Sequence, residues 1–140
     1  MKEIELYVTL LIPDTTAVTA ANTLRKLGFK FENLKRADYY RFTIDGDAKS
    51  FKERIAKVDV LVNANKHKAD MEPAVEGVIV TATDDKCEGM LNTLKNRLGF
   101  KEIKSMHKGT YWLSDSEELT IKMTEALLYN PNFQTYEVRG

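Results

Sequence analysis

Two histidines, one cysteine and an Asp-Asp pair are the first places to look for chemistry in this chain. His67 lies in Asn65-Lys66-His67-Lys68 and His107 in Met106-His107-Lys108-Gly109. Neither has carboxylate or cysteine partners at metal-ligand spacing, so both read as solvated turn histidines. Cys87 falls on the apolar stripe of a helix close to its start. A helix N-terminus can lower a thiol pKa, but with no histidine nearby the residue reads as a small buried hydrophobe. As the single cysteine, it cannot form an internal disulfide or a cysteine cage. Asp84-Asp85 is explained by helix capping and the helix dipole. The seven glycines are scattered, which leaves no phosphate-cradling loop, and no serine sits in a nucleophile elbow. No catalytic residue, metal set or cofactor is therefore expected.

An aromatic run, Lys108-Gly109-Thr110-Tyr111-Trp112, stands where RNA-recognition motifs of βαββαβ topology carry stacking rings. Its match to that motif fails at alternate positions. The 21 basic and 21 acidic side chains cancel, so the clustered positive charge that drives phosphate binding is not expected. The composition, 43% hydrophobic and 30% charged, is that of a folded domain and not of a disordered one. No apolar run approaches a bilayer span, and Met1-Lys2-Glu3 opens directly into a strand pattern. The expectations are a cytoplasmic protein, no nucleic acid and no membrane.

The elements that must position these residues occur twice. Asn22-Thr23-Leu24-Arg25-Lys26-Leu27-Gly28-Phe29-Lys30 returns as Asn92-Thr93-Leu94-Lys95-Asn96-Arg97-Leu98-Gly99-Phe100-Lys101, with one extra residue before the second Leu-Gly-Phe-Lys. Tyr7-Val8-Thr9 precedes the first copy and Val80-Thr81-Ala82 the second. Arg36-Ala37-Asp38-Tyr39-Tyr40 matches His107-Lys108-Gly109-Thr110-Tyr111, and Asn63-Ala64-Asn65 matches Asn130-Pro131-Asn132. Ile4, Leu6, Val8 and Leu10 alternate as one face of a strand. Pro13-Asp14-Thr15 starts a helix with Ala17, Ala20, Ala21, Leu24 and Leu27 inward and Gly28 as its cap. Strands then flank a turn at Ala37-Asp38, and Asp47 caps a helix bearing Phe51, Ile55 and Val58. In the second copy Asp85 and Glu88 resemble a capping box. Its first helix carries Cys87, Met90 or Leu91, Leu94 and Leu98, and a hairpin turns around Lys108-Gly109. Ser114 or Ser116 caps a helix with Leu119, Met123, Ala126 and Leu127 inward, and Phe133 to Val138 is the last strand.

Each half thus predicts β-α-β-β-α-β, the ferredoxin-like motif. The expected architecture is α+β: two fused ferredoxin-like units, residues 1–73 and 74–140, forming a pseudo-dimer with antiparallel sheets. A unit of about 70 residues buries only roughly 60% of its chain surface and is marginal alone. Outward positions such as Tyr7, Tyr39, Arg41 and Trp112 predict that the second sheet face, or an edge, is covered by the other unit.

The Tyr7-Val8-Thr9-Leu10 strand, the helix ending in Leu-Gly-Phe, a hairpin centred on a basic residue and the ending Leu127-Leu128-Tyr129-Asn130-Pro131 followed by Tyr136-Glu137 resemble the PurS family, once per half. PurS is the small subunit of phosphoribosylformylglycinamidine synthase, the ATP- and glutamine-dependent step of purine biosynthesis. The resemblance implies a non-catalytic assembly subunit that bridges a synthetase (PurL-like) and a glutaminase (PurQ-like) subunit and forms a homodimer. It implies partner contacts at the hairpins (Arg36, Asp38 and Tyr39; His107, Lys108 and Gly109) and at the turns (Asn63, Asn65 and His67; Asn130, Pro131, Asn132 and Phe133). Family members are commonly single units of half this length. Neither hairpin here carries the family's complete Arg-x-Gly-Lys, and the first half lacks the Pro and the Tyr-Glu strand. The competing expectation is a small-molecule-binding module of ACT-like type.

Overall fold

The computed structural model describes residues 1–58, 61–62, 66–82 and 87–139. The elements run β1 Lys2–Leu10, α1 Thr15–Lys26, β2 Leu34–Ile44, α2 Ala48–Ile55, β3 His67–Asp70, β4 Gly77–Ala82, α3 Glu88–Asn92, β5 Ile103–Ser114, α4 Glu117–Met123 and β6 Gln134–Arg139. Two helices lengthen as π-turns, α3 through Thr93–Arg97 and α4 through Thr124–Leu128. The fold is mixed α+β, with one six-stranded antiparallel sheet in the order β3-β1-β2-β5-β4-β6.

Capping agrees closely with the sequence. Asp14 accepts from the Thr16 and Ala17 amides at 3.0 and 3.2 Å, Asp47 from Lys49 and Ser50, and Ser116 from Leu119. Each fills N–H groups that the first turn leaves without a partner. Gly28 and Gly99 take φ of +101° and +80° where the first helix of each half ends, a conformation a side chain would strain. The Asp84-Asp85 start signal and the Asp85–Glu88 box lie outside the described residues.

The expected hairpins do not form. Leu34–Ile44 and Ile103–Ser114 are each one unbroken strand, paired with each other from Leu34↔Ser114 to Ile44↔Ile103. The alternation that fills one side of the first with Tyr40, Phe42 and Ile44 needs no turn at Ala37-Asp38. Neither residue takes the positive φ of a two-residue hairpin, and nor does Gly109. β1 pairs only with Asp38–Ile44 of β2, and β4 only with Gly109–Trp112 of β5. The N-terminal part of each long strand therefore runs past its own half and pairs with the other long strand.

The helices lie on one side of the sheet in two groups. Phe51 and Ile55 of α2, with Leu94 beyond α3, pack on Ile4, Leu6, Val8, Tyr40, Phe42, Ile44 and Met106. Ala20 of α1, with Ile121 of α4 and Leu128 beyond it, packs near Val78, Val80 and Trp112. Trp112 is thus on the helix side, not outward. Leu27 and Leu98 are exposed where the stripes placed them inward; each is the C-cap residue, beyond the last turn of its helix. In α4 Met123 is buried as expected, beside Thr120 and Thr124, whereas Ala126 and Leu127, within the π-turn, face out. The two threonines bond back to the Ser116 and Thr120 carbonyls at 2.7 and 2.8 Å, which satisfies their buried hydroxyls.

Candidate functional site

Among the described residues the opposite side of the sheet carries no helix, yet it is not a bare surface. Glu5 lies on β1 and Arg139 on β6, with β2, β5 and β4 between them in the sheet. In a flat sheet four strand spacings amount to about 19 Å, beyond the reach of the two side chains. The Arg139 guanidinium nonetheless holds both Glu5 oxygens, at 3.1 and 2.6 Å. The sheet is therefore coiled, and this face is its concave side.

Around that ion pair the concave face builds a connected cluster. The Tyr39 hydroxyl donates to Glu5, and the Arg41 Nε donates to the Tyr39 oxygen at 2.8 Å. Arg41 also meets Glu3 and Glu137 at 3.2 and 3.3 Å, and Arg139 meets Glu137 at 2.9 Å. Tyr7 sits edge-on to Tyr39 and to Tyr111, with centroids 5.3 and 5.4 Å away, a geometry that aromatic quadrupoles favour. Ala37, Ile79 and Ala74 close the apolar part of the cluster. The chain between β3 and β4 crosses here: the Ala74 amide donates to the Tyr7 hydroxyl at 3.2 Å, and the Tyr111 hydroxyl donates to the Glu76 carbonyl at 2.7 Å.

Electrostatics fix the protonation states. Burial alone would raise the Glu5 carboxyl, but hydrogen bonds from Arg139 and Tyr39 and the charges of Arg139 and Arg41 outweigh it and hold it below the usual range. Burial, reinforced by Glu5, pushes the Tyr39 phenol far up, and burial raises Tyr7 to about 12. Glu5 is thus an anion and both phenols are neutral donors across the physiological range. Each group is engaged within the chain, so the cluster is built to hold strands together. Beside it, under residues 72–76, lies a cavity of about 410 Å³ lined by Tyr7, Lys68, Asp70 and Tyr111.

The residues singled out as partner contacts divide among three places. Arg36, Asp38, Tyr39, His107, Lys108 and Gly109 come together at the centre of the sheet, where Tyr39 faces Gly109 and Asp38 faces Thr110. They occupy mid-strand positions and not hairpin tips. Arg36 points to the helix side and bridges Asp14 and Asp38 at 3.2 and 2.9 Å. Tyr39 is buried on the concave side, whereas His107 and Lys108 are exposed. His67 opens edge strand β3, opposite Leu10. Asn130, Pro131, Asn132 and Phe133 form an exposed turn, closed by the Asn132 amide on Asn130 Oδ1 at 3.0 Å and by the Gln134 amide on the Asn130 carbonyl at 2.8 Å. Asn63 and Asn65 lie outside the described residues.

Glu3, Glu5, Glu137 and Arg139 were not singled out from the sequence. The signal that could have found them is the second face of each strand: Glu3-Glu5-Tyr7, Tyr39-Arg41 and Glu137-Arg139 alternate at strand period with complementary charge. Among the described residues no group of three His, Cys, Asp or Glu side chains could hold a metal ion, and no described helix is long and apolar enough to cross a membrane. No protein-family model matches the chain, and no curated protein matches its sequence.

Proposed function

We propose that the chain is a tandem-duplicated, PurS-like assembly subunit of a phosphoribosylformylglycinamidine synthase. In this reading it bridges the synthetase and glutaminase subunits and carries out no chemistry of its own. Residues 1–73 and 74–140 are the two copies, each with its described elements in the order β-α-β-α-β because one long strand replaces the expected hairpin. The observation that carries the reading is the mirrored order of the sheet, β3-β1-β2 and then β5-β4-β6. Superposing one half on the other by strand register matches Val8 with Val80, Tyr39 with Tyr111 and Tyr40 with Trp112. On β1 and β4, and on β2 and β5, this is one residue from the match that sequence similarity suggests, and it sets buried Val8 on Val80 and buried Tyr40 on Trp112. The one-residue excess of the second Leu-Gly-Phe word falls on the π-turn at Thr93–Arg97, where an α-helix absorbs an insertion.

The family's closing Asn-Pro turn is exposed at Asn130–Phe133, and the exposed His107 and Lys108 lie at the centre of the sheet, so both are open to partners. Mixing the purified chain with synthetase and glutaminase subunits tests the reading. A three-component complex that forms with ADP and glutamine, and that loses affinity at least tenfold on Phe133→Ala or Lys108→Glu, is the expected result. Failure of the mixture to assemble under any nucleotide or glutamine condition overturns it.

A further inference from the structure

We infer that residues 1–70 and 77–139 are interlocked partners that complete each other, the first matched to the second and not to a copy of itself. The inference holds whichever complex the chain enters. The apolar core over β1 and the C-terminal part of β2 contains Leu94, Phe100, Ile103 and Met106, all from the second half. The core over β4 and the C-terminal part of β5 is closed in turn by Ala20 and Leu34 from the first. Each half therefore sends a helix and the start of its long strand across to the other. Taken alone, either would expose those apolar surfaces and the unpaired edge of its own long strand.

Polar contacts across the divide are numerous and asymmetric. Asp115 accepts from the Glu32 and Asn33 amides at 2.7 and 2.9 Å, Arg54 pairs with Glu102 and lies over the Phe100 ring, and the Asp45 amide donates to the Glu102 carbonyl at 2.8 Å. Arg139 and Glu137 bind Glu5 and Arg41. The position equivalent to Glu5 in the second half is Gly77, so this clasp cannot be made twice. At the centre, Asp38 faces Thr110. Two first halves pairing in the same register would set Asp38 against Asp38, and like charges directly opposite in a sheet are destabilising.

A protease site inserted between Glu72 and Pro73 of the full chain tests this. After cleavage the two pieces should migrate together, give a one-to-one mass under native conditions, and separate only in denaturant. The melting temperature of the cut protein should fall on dilution, because unfolding has become dissociation. Two folded monomers after cleavage, pieces that redistribute into pairs of like halves, or a melting temperature independent of concentration would each overturn the inference. If the insertion impairs folding, amide exchange on the unaltered chain decides. The slowest amides of β1, β2, β4 and β5 should open with one common free energy, and two separate values would contradict interlocking.

Discussion

Glu5 shows what a single side chain contributes when burial and charge oppose each other. Its side chain is only 11% exposed, and two arginines and a phenol hold it ionised. Glu5→Gln keeps the shape but removes the charge, leaving Arg139 without its counter-ion. Such a change costs about 2 kcal/mol, toward the lower end for a broken ion pair because Arg139 is partly solvated. The sign of the pH effect is set by the lowered pKa. The unfolded carboxyl takes up its proton near 4.5, before the folded one does. The extra stability is therefore complete above that pH and lost as the pH falls through the lower folded value. Urea titrations from pH 7 to 3 should show the wild type losing stability faster below pH 4.5 than the Gln variant. Parallel curves would mean that Glu5 is not the group responsible. Gly109 answers to a different constraint. Its place after a lysine suggests a hairpin tip, yet it lies mid-strand, where an added Cβ would stand 2.3 Å from the Val80 carbonyl oxygen. Sequence marks the need for a glycine there; only the three-dimensional crossing says whether a turn or a close approach requires it.

At the level of elements, the helices and their caps were legible because their signals are local. Asp14, Asp47 and Ser116 cap, and Gly28 and Gly99 terminate, through atoms within a few residues. The long strands were not legible, because the choice between a hairpin and a straight strand depends on which partner lies alongside. Ala37-Asp38 is a passable turn in isolation, but Tyr111 and Thr110 are its actual neighbours. The concave cluster was missed for the same reason, since Glu5 and Arg139 meet only once the sheet coils. The π-turn at Thr93–Arg97 is an intermediate case: the extra residue is visible in the repeat, but its structural form is not. It makes a contrast that can be measured. Deleting exposed Asn96 should turn the π-turn into regular helix and change stability by less than about 1 kcal/mol, as for a surface change. Deleting Asn22 from the regular α1 instead rotates the N-terminal turns of that helix by about 100° relative to its C-terminal turn. That carries Ala17 and Ala21 off the buried face, and the loss should exceed about 2 kcal/mol in urea unfolding. Equal losses from the two deletions would show that the π-turn is not an absorbed insertion.

For the whole molecule, coiling and interlocking have one consequence that reaches beyond any single contact. The strands that hold the sheet together join distant parts of the chain, with Asp38 against Thr110 at its centre and Glu5 against Arg139 across its concave side. Closing such long loops removes chain entropy before the contacts that offset it can form. Helix α1, capped by Asp14 and ended at Gly28, can begin to form early from local signals, but it has no complete surface to pack on until β4 and β5 arrive. The rate-limiting step should therefore be the joining of β2 to β5, not formation of either half. Stopped-flow refolding, monitored by Trp112 fluorescence, should give a phase in roughly the millisecond-to-second range expected of sheets built from non-local pairs. A tyrosine-to-tryptophan probe at Tyr40, in the other helix-covered core, should report the same rate. If the two probes instead fold at clearly different rates, the halves acquire their cores separately and the central pairing comes last, as a docking step. Coincident rates would place the β2–β5 crossing in the transition state. Asp38→Thr, which removes a charge at that crossing, should then alter folding more than unfolding.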